Sequence, residues 1–143
     1  MYKLILIPLD GGQPSREALE EALLLAAQLG ATVRVIHVVE PMRQILMESI
    51  VDLTEAMRRQ GALILEQAAE RARSYGVQVT TALVEAGERR VAVAIVDEAT
   101  AAGADLIAMG THGRMGLEHL FLGSVAEGVA RRAGIPVLLL RKH

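Results

Sequence analysis

Between Met109 and Glu127 the chain reads MGTHGRMGLEHLFLGSVAE, a stretch with four glycines, two histidines, an arginine and a serine. Gly110 follows an apolar run directly. Gly113 comes three residues on, Gly116 three more, and Gly123-Ser124 stands where a helical pattern begins. Glycine at a helix start suits an anion. The first turn presents unpaired backbone N–H groups and a partial positive charge, and a residue without a Cβ lets a phosphate come close. Ser124 adds a hydroxyl, and Arg114, His112 and His119 can add positive charge. The same residues have a second reading. Ser124-Val125-Ala126-Glu127 has the spacing of a capping box, in which the serine only caps its helix and the glycines only make turns. Spacing alone leaves both open. Two other phosphate motifs are excluded: no lysine follows Gly123, as a P-loop requires, and there is no G-x-G-x-x-G.

Such a loop needs a scaffold that brings it to a crevice. The chain has 143 residues, 52% of them hydrophobic, which suits one domain, 1–143, with an ordinary core. Residues 3–9, KLILIPL, are short, apolar on both faces and stopped by Asp10-Gly11-Gly12, the pattern of a buried strand. In residues 15–30, Leu19, Ala22, Leu23, Ala26 and Leu29 share a helical stripe that stops at Gly30. Residues 31–39 are β-branched and read as a second strand. Residues 42–75 read as long and mostly helical, most clearly where Met57, Ile64, Leu65, Ala68, Ala72 and Tyr75 form one stripe. A strand over 77–84, a helix over 88–103, a strand over 104–110, a helix over 124–134 and a strand over 135–142 complete the series. Alternating strands and helices predict parallel pairing through right-handed crossovers. The expected fold class is α/β: a doubly wound five-stranded parallel sheet with helices on both faces. Ligands of such sheets sit beyond the carboxyl ends of the strands, where strand order reverses. If the first and fourth strands flank that point, the loops after Leu9 and after Met109 face one crevice.

Gly110-x2-Gly113-x9-Gly123-Ser124, after an apolar strand and before a helix, resembles the nucleotide-binding signature of the universal stress protein family. IPLDGGQPSREALEEALLLA, VIHVVEP and GIPVLLLR resemble that family's opening strand and helix, the end of its second strand, and its last strand. The resemblance runs the length of the chain. It implies an adenine nucleotide alpha hydrolase-like fold with strand order 3-2-1-4-5, and ATP (or ADP or AMP) as ligand. The phosphates would lie on Gly110, Gly113, Gly123, Ser124 and the backbone of Val125, with Met109, His112 and Arg114 beside them. Asp10 would hold the ribose hydroxyls, which a carboxylate accepts well. Backbone groups of Val38 would meet the adenine, with Pro8 and Leu9 nearby. Gly12 departs from the pattern, since many members carry serine two residues after the aspartate. The resemblance also implies a homodimer through the last strand (Val137 to Leu140). That would give a partner to an apolar strand otherwise exposed at a sheet edge.

The functional expectation is an ATP-binding stress-response regulator that acts through an unknown protein partner and is not an enzyme. No Ser-His-Asp order and no nucleophile beside a general base stand out. Slow ATP hydrolysis or self-phosphorylation at Ser124 or Thr111 is the most these residues support, and Mg²⁺ would be held through phosphates and water. The alternative is a nucleotide-independent dimeric interaction module, against which the glycines speak. A nucleotidyl-transfer enzyme would need a second motif such as His-x-Gly-His, which is absent. LDGGQPS faintly resembles the SGGxDS loop of ATP pyrophosphatases, but Asp10 would repel a pyrophosphate there.

Composition narrows the rest. A net charge of −2 and only three aromatic residues, Tyr2, Tyr75 and Phe121, speak against nucleic acid as a partner. With no cysteine there are no disulfides. His112 and His119 lack the further ligands zinc needs, and His37 reads as a core histidine. Met42, Met47 and Met57 read as core filling or as an adaptable contact surface. No apolar run approaches the ~18 residues of a membrane span, and the N-terminal stretch is too short for a signal-peptide core. A cytoplasmic protein is expected.

Overall fold

The computed structural model describes residues 1–46, 49–112 and 122–141. In chain order its elements are β1 (Leu4–Pro8), α1 (Gln13–Leu29), β2 (Thr32–Val39), β3 (Arg43–Leu46), β4 (Ser49–Asp52), α2 (Thr54–Ser74), β5 (Val79–Glu85), α3 (Val91–Ala102), β6 (Leu106–Gly110), α4 (Ser124–Arg132) and β7 (Val137–Leu140).

β1 is apolar on both faces because it is central. It pairs in parallel with β2 on one side and β6 on the other, and Ile5, Leu6 and Ile7 are fully buried. Side chains alternate across a strand, and the core divides accordingly. Ile5, Ile7, Val33, Val35, Leu106 and Ala108 pack with α1 and α2 on one face. Leu6, Ile36, Ile107 and Met109 pack with α3 and α4 on the other. The sheet runs β5-β2-β1-β6-β7, which is 3-2-1-4-5 when only the sheet's own strands are counted. Strand order reverses between β1 and β6, so the carboxyl ends of these two strands open on the same crevice.

The expected long helix over 42–75 is wrong in its first part. β3 and β4 form an antiparallel pair that, among the described residues, joins no other strand, and α2 starts at Thr54. The β-branched Ile50 and Val51 favour strand. Asp52 marks the true helix start, its Oδ1 accepting the Thr54 N–H at 2.9 Å. Asp52 with Glu55 three residues on is a start signal legible in the sequence.

Two glycines let helices come close. A Cβ on Gly61 of α2 would stand 2.5 Å from His37 Cδ2 and 2.7 Å from Leu83 Cδ1, and one on Gly128 of α4 would stand 2.7 Å from the Ala92 Cβ of α3. Ala92 cannot yield by rotating, so Gly128→Ala must push α3 and α4 apart. Helix propensity alone would gain about 1 kcal/mol. Overpacking costs about 1–3 kcal/mol and should win, lowering the thermal midpoint by a few degrees; an unchanged or raised midpoint would show that α4 shifts freely.

Candidate functional site

The crevice at the switch point is a cleft of about 300 Å³. The ends of β1 and β6 form its floor: Pro8, Leu9 and Asp10 from the first, Met109, Gly110, Thr111 and His112 from the second. Val38, near the end of β2, closes one side, and Gly123, Ser124 and Val125 close the other. The structure thus brings together ten of the expected nucleotide-binding residues, and Thr111 with them. Gly113 and Arg114, like Gly116, His119 and Met47, lie outside the described residues.

Each wall has a local cause. Leu9 donates its N–H to Ile36 O at 2.8 Å, carrying the sheet one residue past β1. The chain then turns through Gly11 at φ 87, a conformation that suits glycine. Asp10 Oδ1 accepts the Gly12 N–H at 2.8 Å and holds the turn. At the other end Thr111 N–H donates to Leu140 O at 3.1 Å, and Gly123 N–H donates to Thr111 O at 2.7 Å. That bond ties the start of α4 to the end of β6. An added Cβ on Gly110 would meet Pro14 O and Ala18 Cβ of α1 at 3.4 and 3.6 Å. Those are ordinary contacts, so no clash within the protein requires glycine there.

The capping-box reading of Ser124 does not hold. The N-cap of α4 is Gly123, with φ −61 and ψ 151, no side chain caps the helix, and Ser124 is its first residue. Gly123 O accepts the Glu127 N–H at 2.9 Å, which leaves the N–H groups of Ser124, Val125 and Ala126 without intrahelical acceptors. α1 and α3 also start without a side-chain cap and have no acidic residue in the first turn. Both reach the cleft, through Ser15 of α1 and Val91 of α3. Three helix starts without an N-cap side-chain bond thus reach one cleft, which favours an anion, offset in part by Glu127 in the first turn of α4 and by the Asp10 carboxylate on the Gly12 N–H.

Sequence reasoning missed Ser15, Glu40, Val91, Ile95 and Ala126, which also line the cleft. Ser15 is buried and donates its hydroxyl to Gly12 O at 3.1 Å. A hydroxyl thus stands on this wall although position 12 lacks one. Val91 and Ile95 share an apolar face of α3 by their spacing, but periodicity does not show that this face reaches the crevice. Thr111 is buried, and its Oγ1 lies 2.9 Å from His112 Nδ1. His112 Nε2 is shielded from solvent with no hydrogen-bond partner among the described residues. His37, expected in the core, is only half-buried and bonds Leu9 O through Nδ1 at 2.7 Å.

The profile of the Universal stress protein family matches residues 1–141. The chain belongs to the universal stress protein family. Its relatives include a universal stress protein of Methanocaldococcus jannaschii, 38% identical over 99% of this chain and 84% of that protein. A crystal structure of a universal stress family protein from Burkholderia pseudomallei is 33% identical, covers 97% of this chain and 96% of its own, and superposes with a TM-score of 0.78. A universal stress protein crystallised in complex with cAMP is 25% identical, covers 97% of each chain and superposes with a TM-score of 0.73. Universal stress membership thus joins the doubly wound fold to a cleft at its switch point. Among the described residues no helix is long and apolar enough to cross a membrane, and no group of three His, Asp or Glu side chains could hold a metal ion.

Proposed function

We propose that the chain is a single-domain, cytoplasmic regulator that binds ATP or another adenine nucleotide in this cleft. The observation that carries the reading is that the start of α4, without a side-chain cap, and the Asp10 carboxylate line one cleft. Phosphates meet the free N–H groups of Ser124 and Val125 and the hydroxyl of Ser124. The ribose hydroxyls meet the Asp10 carboxylate, and the base lies against Pro8 and Val38. His112 supports the same end. A buried nitrogen without a partner costs about 1–3 kcal/mol, and a phosphate oxygen would recover part of that. The cAMP complex of a relative shows an adenine nucleotide bound on this fold. Mg²⁺ accompanying ATP would be held by phosphate oxygens and water.

The reading is of a binding protein that signals through a partner, with slow hydrolysis or self-phosphorylation at Ser124 or Thr111 as the most it would catalyse. Purified protein, denatured and analysed by mass spectrometry, should release an adenine nucleotide. Protein that releases none and retains none after incubation with ATP and gel filtration would favour the interaction module instead.

Dimerisation through β7 is part of the proposal. β7 pairs with β6 alone among the described strands, and all four of its residues are half-buried. Pro136 O and Leu140 O accept bonds from Ile107 N–H and Thr111 N–H. Alternate residues point opposite ways, so the backbone groups of Val137 and Leu139 face outward. Leu139→Pro removes one outward donor and should turn a sedimenting dimer into a monomer, with Leu139→Ala as the control for lost packing. A proline variant that still sediments as a dimer would place the interface elsewhere.

A further inference from the structure

Beside the cleft lies a second chamber of about 400 Å³, which shares Asp10, Val38 and Glu40 with it and continues to His37, Met42 and Met57. The chamber is built by specific contacts. α2 comes this near to β2 because residue 61 is glycine; a Cβ there would overlap the His37 ring. The opposite wall is pinned where Met42 N–H donates to Thr54 Oγ1 at 3.0 Å and Leu53 N–H donates to Met42 O at 2.7 Å.

The polar groups of this chamber are mostly acceptors. His37 Nδ1 faces the Leu9 carbonyl at 2.7 Å. A carbonyl only accepts, so Nδ1 carries the hydrogen, and Nε2 of the neutral ring is an acceptor. Glu40 is exposed and forms no ion pair among the described residues. Asp10 adds a second carboxylate, and the Met42 and Met57 sulfurs are weak acceptors on adaptable apolar stems. No lysine or arginine is among the described residues that line the chamber, and with His37 Nδ1–H committed to Leu9 O, the Gln60 amide is the remaining side-chain donor among them.

We propose that this chamber binds a primary alkylammonium. An –NH₃⁺ group has three donors and no acceptor, which complements Glu40 and His37 Nε2. Its methylene stem lies along Met57 and Met42. Anionic ligands are disfavoured by the Glu40 carboxylate. A bare metal ion is disfavoured because no three His, Asp or Glu side chains among the described residues are placed to hold one. A flat guanidinium gains most from a bidentate carboxylate, whereas a compact ammonium needs only separate acceptors around it.

The test uses n-butylamine and putrescine, titrated without nucleotide and followed by calorimetry and by amide NMR shifts, with n-butanol as the uncharged control. Saturable binding of the amines, one per chain, is expected, with shifts clustered at residues 38–42 and 57–61 and no saturation by n-butanol. Nα-acetyl-lysine methylamide, run in parallel, distinguishes a lysine side chain of another protein from a free amine as the source of the ammonium. Glu40→Gln should weaken binding at least tenfold. Met57→Trp, which fills the chamber, should do the same, while Met57→Leu should stay within about twofold. Equal binding of n-butanol and n-butylamine would overturn the proposal, as would amine affinity unchanged in both Glu40→Gln and Met57→Trp. Because no ATP is present, this result stands or falls apart from the nucleotide reading.

Discussion

With valine at position 123, the chain is expected to stay folded and to bind ATP at least ~100-fold more weakly, about 2.7 kcal/mol. Two properties of Gly123 separate folding from binding. Its φ of −61 and ψ of 151 lie in a region open to any residue, so valine brings no backbone strain. Its N–H and C=O bonds, to Thr111 O and from Glu127 N–H, are backbone bonds that a substitution keeps. A less favourable N-cap costs about 1 kcal/mol, little against the stability of a typical domain. Binding is different. Gly123 lines the cleft beside the free N–H groups of α4, and a branched side chain there competes with a phosphate for the same space. Circular dichroism with an ATP titration checks both halves. A folded variant that binds ATP as well as the parent would remove the phosphates from this end.

Asp10→Ala is expected to weaken ATP about tenfold to thirtyfold, the loss of a hydrogen bond to a charged group of about 1.5–2 kcal/mol. Inorganic triphosphate should hardly respond, because it has no ribose, and removing a carboxylate does not hurt a polyanion. The Asp10 carboxylate also holds the Gly12 N–H at 2.8 Å, so the loop could loosen as well. Asp10→Asn separates the two effects. Its amide oxygen can still accept from Gly12, but it offers the ribose one acceptor instead of two. Asparagine should therefore fall between the parent and alanine for ATP and match the parent for triphosphate. Equal losses of ATP and triphosphate in the alanine variant would mean that Asp10 acts only through the shape of the loop.

Much of the architecture was legible because its strongest signals are local. β1 reads as buried from its unbroken apolar run, and alternating elements dictate parallel pairing. From these, the reversal between β1 and β6 brings Asp10 and the Gly110 loop to one crevice. What escaped depended on exact ends. The β3–β4 pair merges with α2 in a sequence reading because its few residues carry no clear period, although Asp52 and Glu55 mark the helix start. Spacing leaves Ser124 open between cap and phosphate donor, whereas the structure makes Gly123 the N-cap; a shift of one residue turns a capped helix start into three N–H groups without intrahelical acceptors. Ser15, Val91 and Ile95 look like ordinary helix residues in sequence. They join the cleft only because the helices that carry them begin at its rim. The neighbouring chamber was out of reach, since the closeness of His37 and Gly61 is a contact between β2 and α2.

The central claim is that this cleft holds an adenine nucleotide. Its most direct test is calorimetric titration of ATP, with Mg²⁺, into protein freed of nucleotide by unfolding and refolding. The account predicts a saturable heat corresponding to one ATP per chain, lost in Gly123→Val. Refolded parent protein with native circular dichroism and no binding heat at millimolar ATP would contradict it.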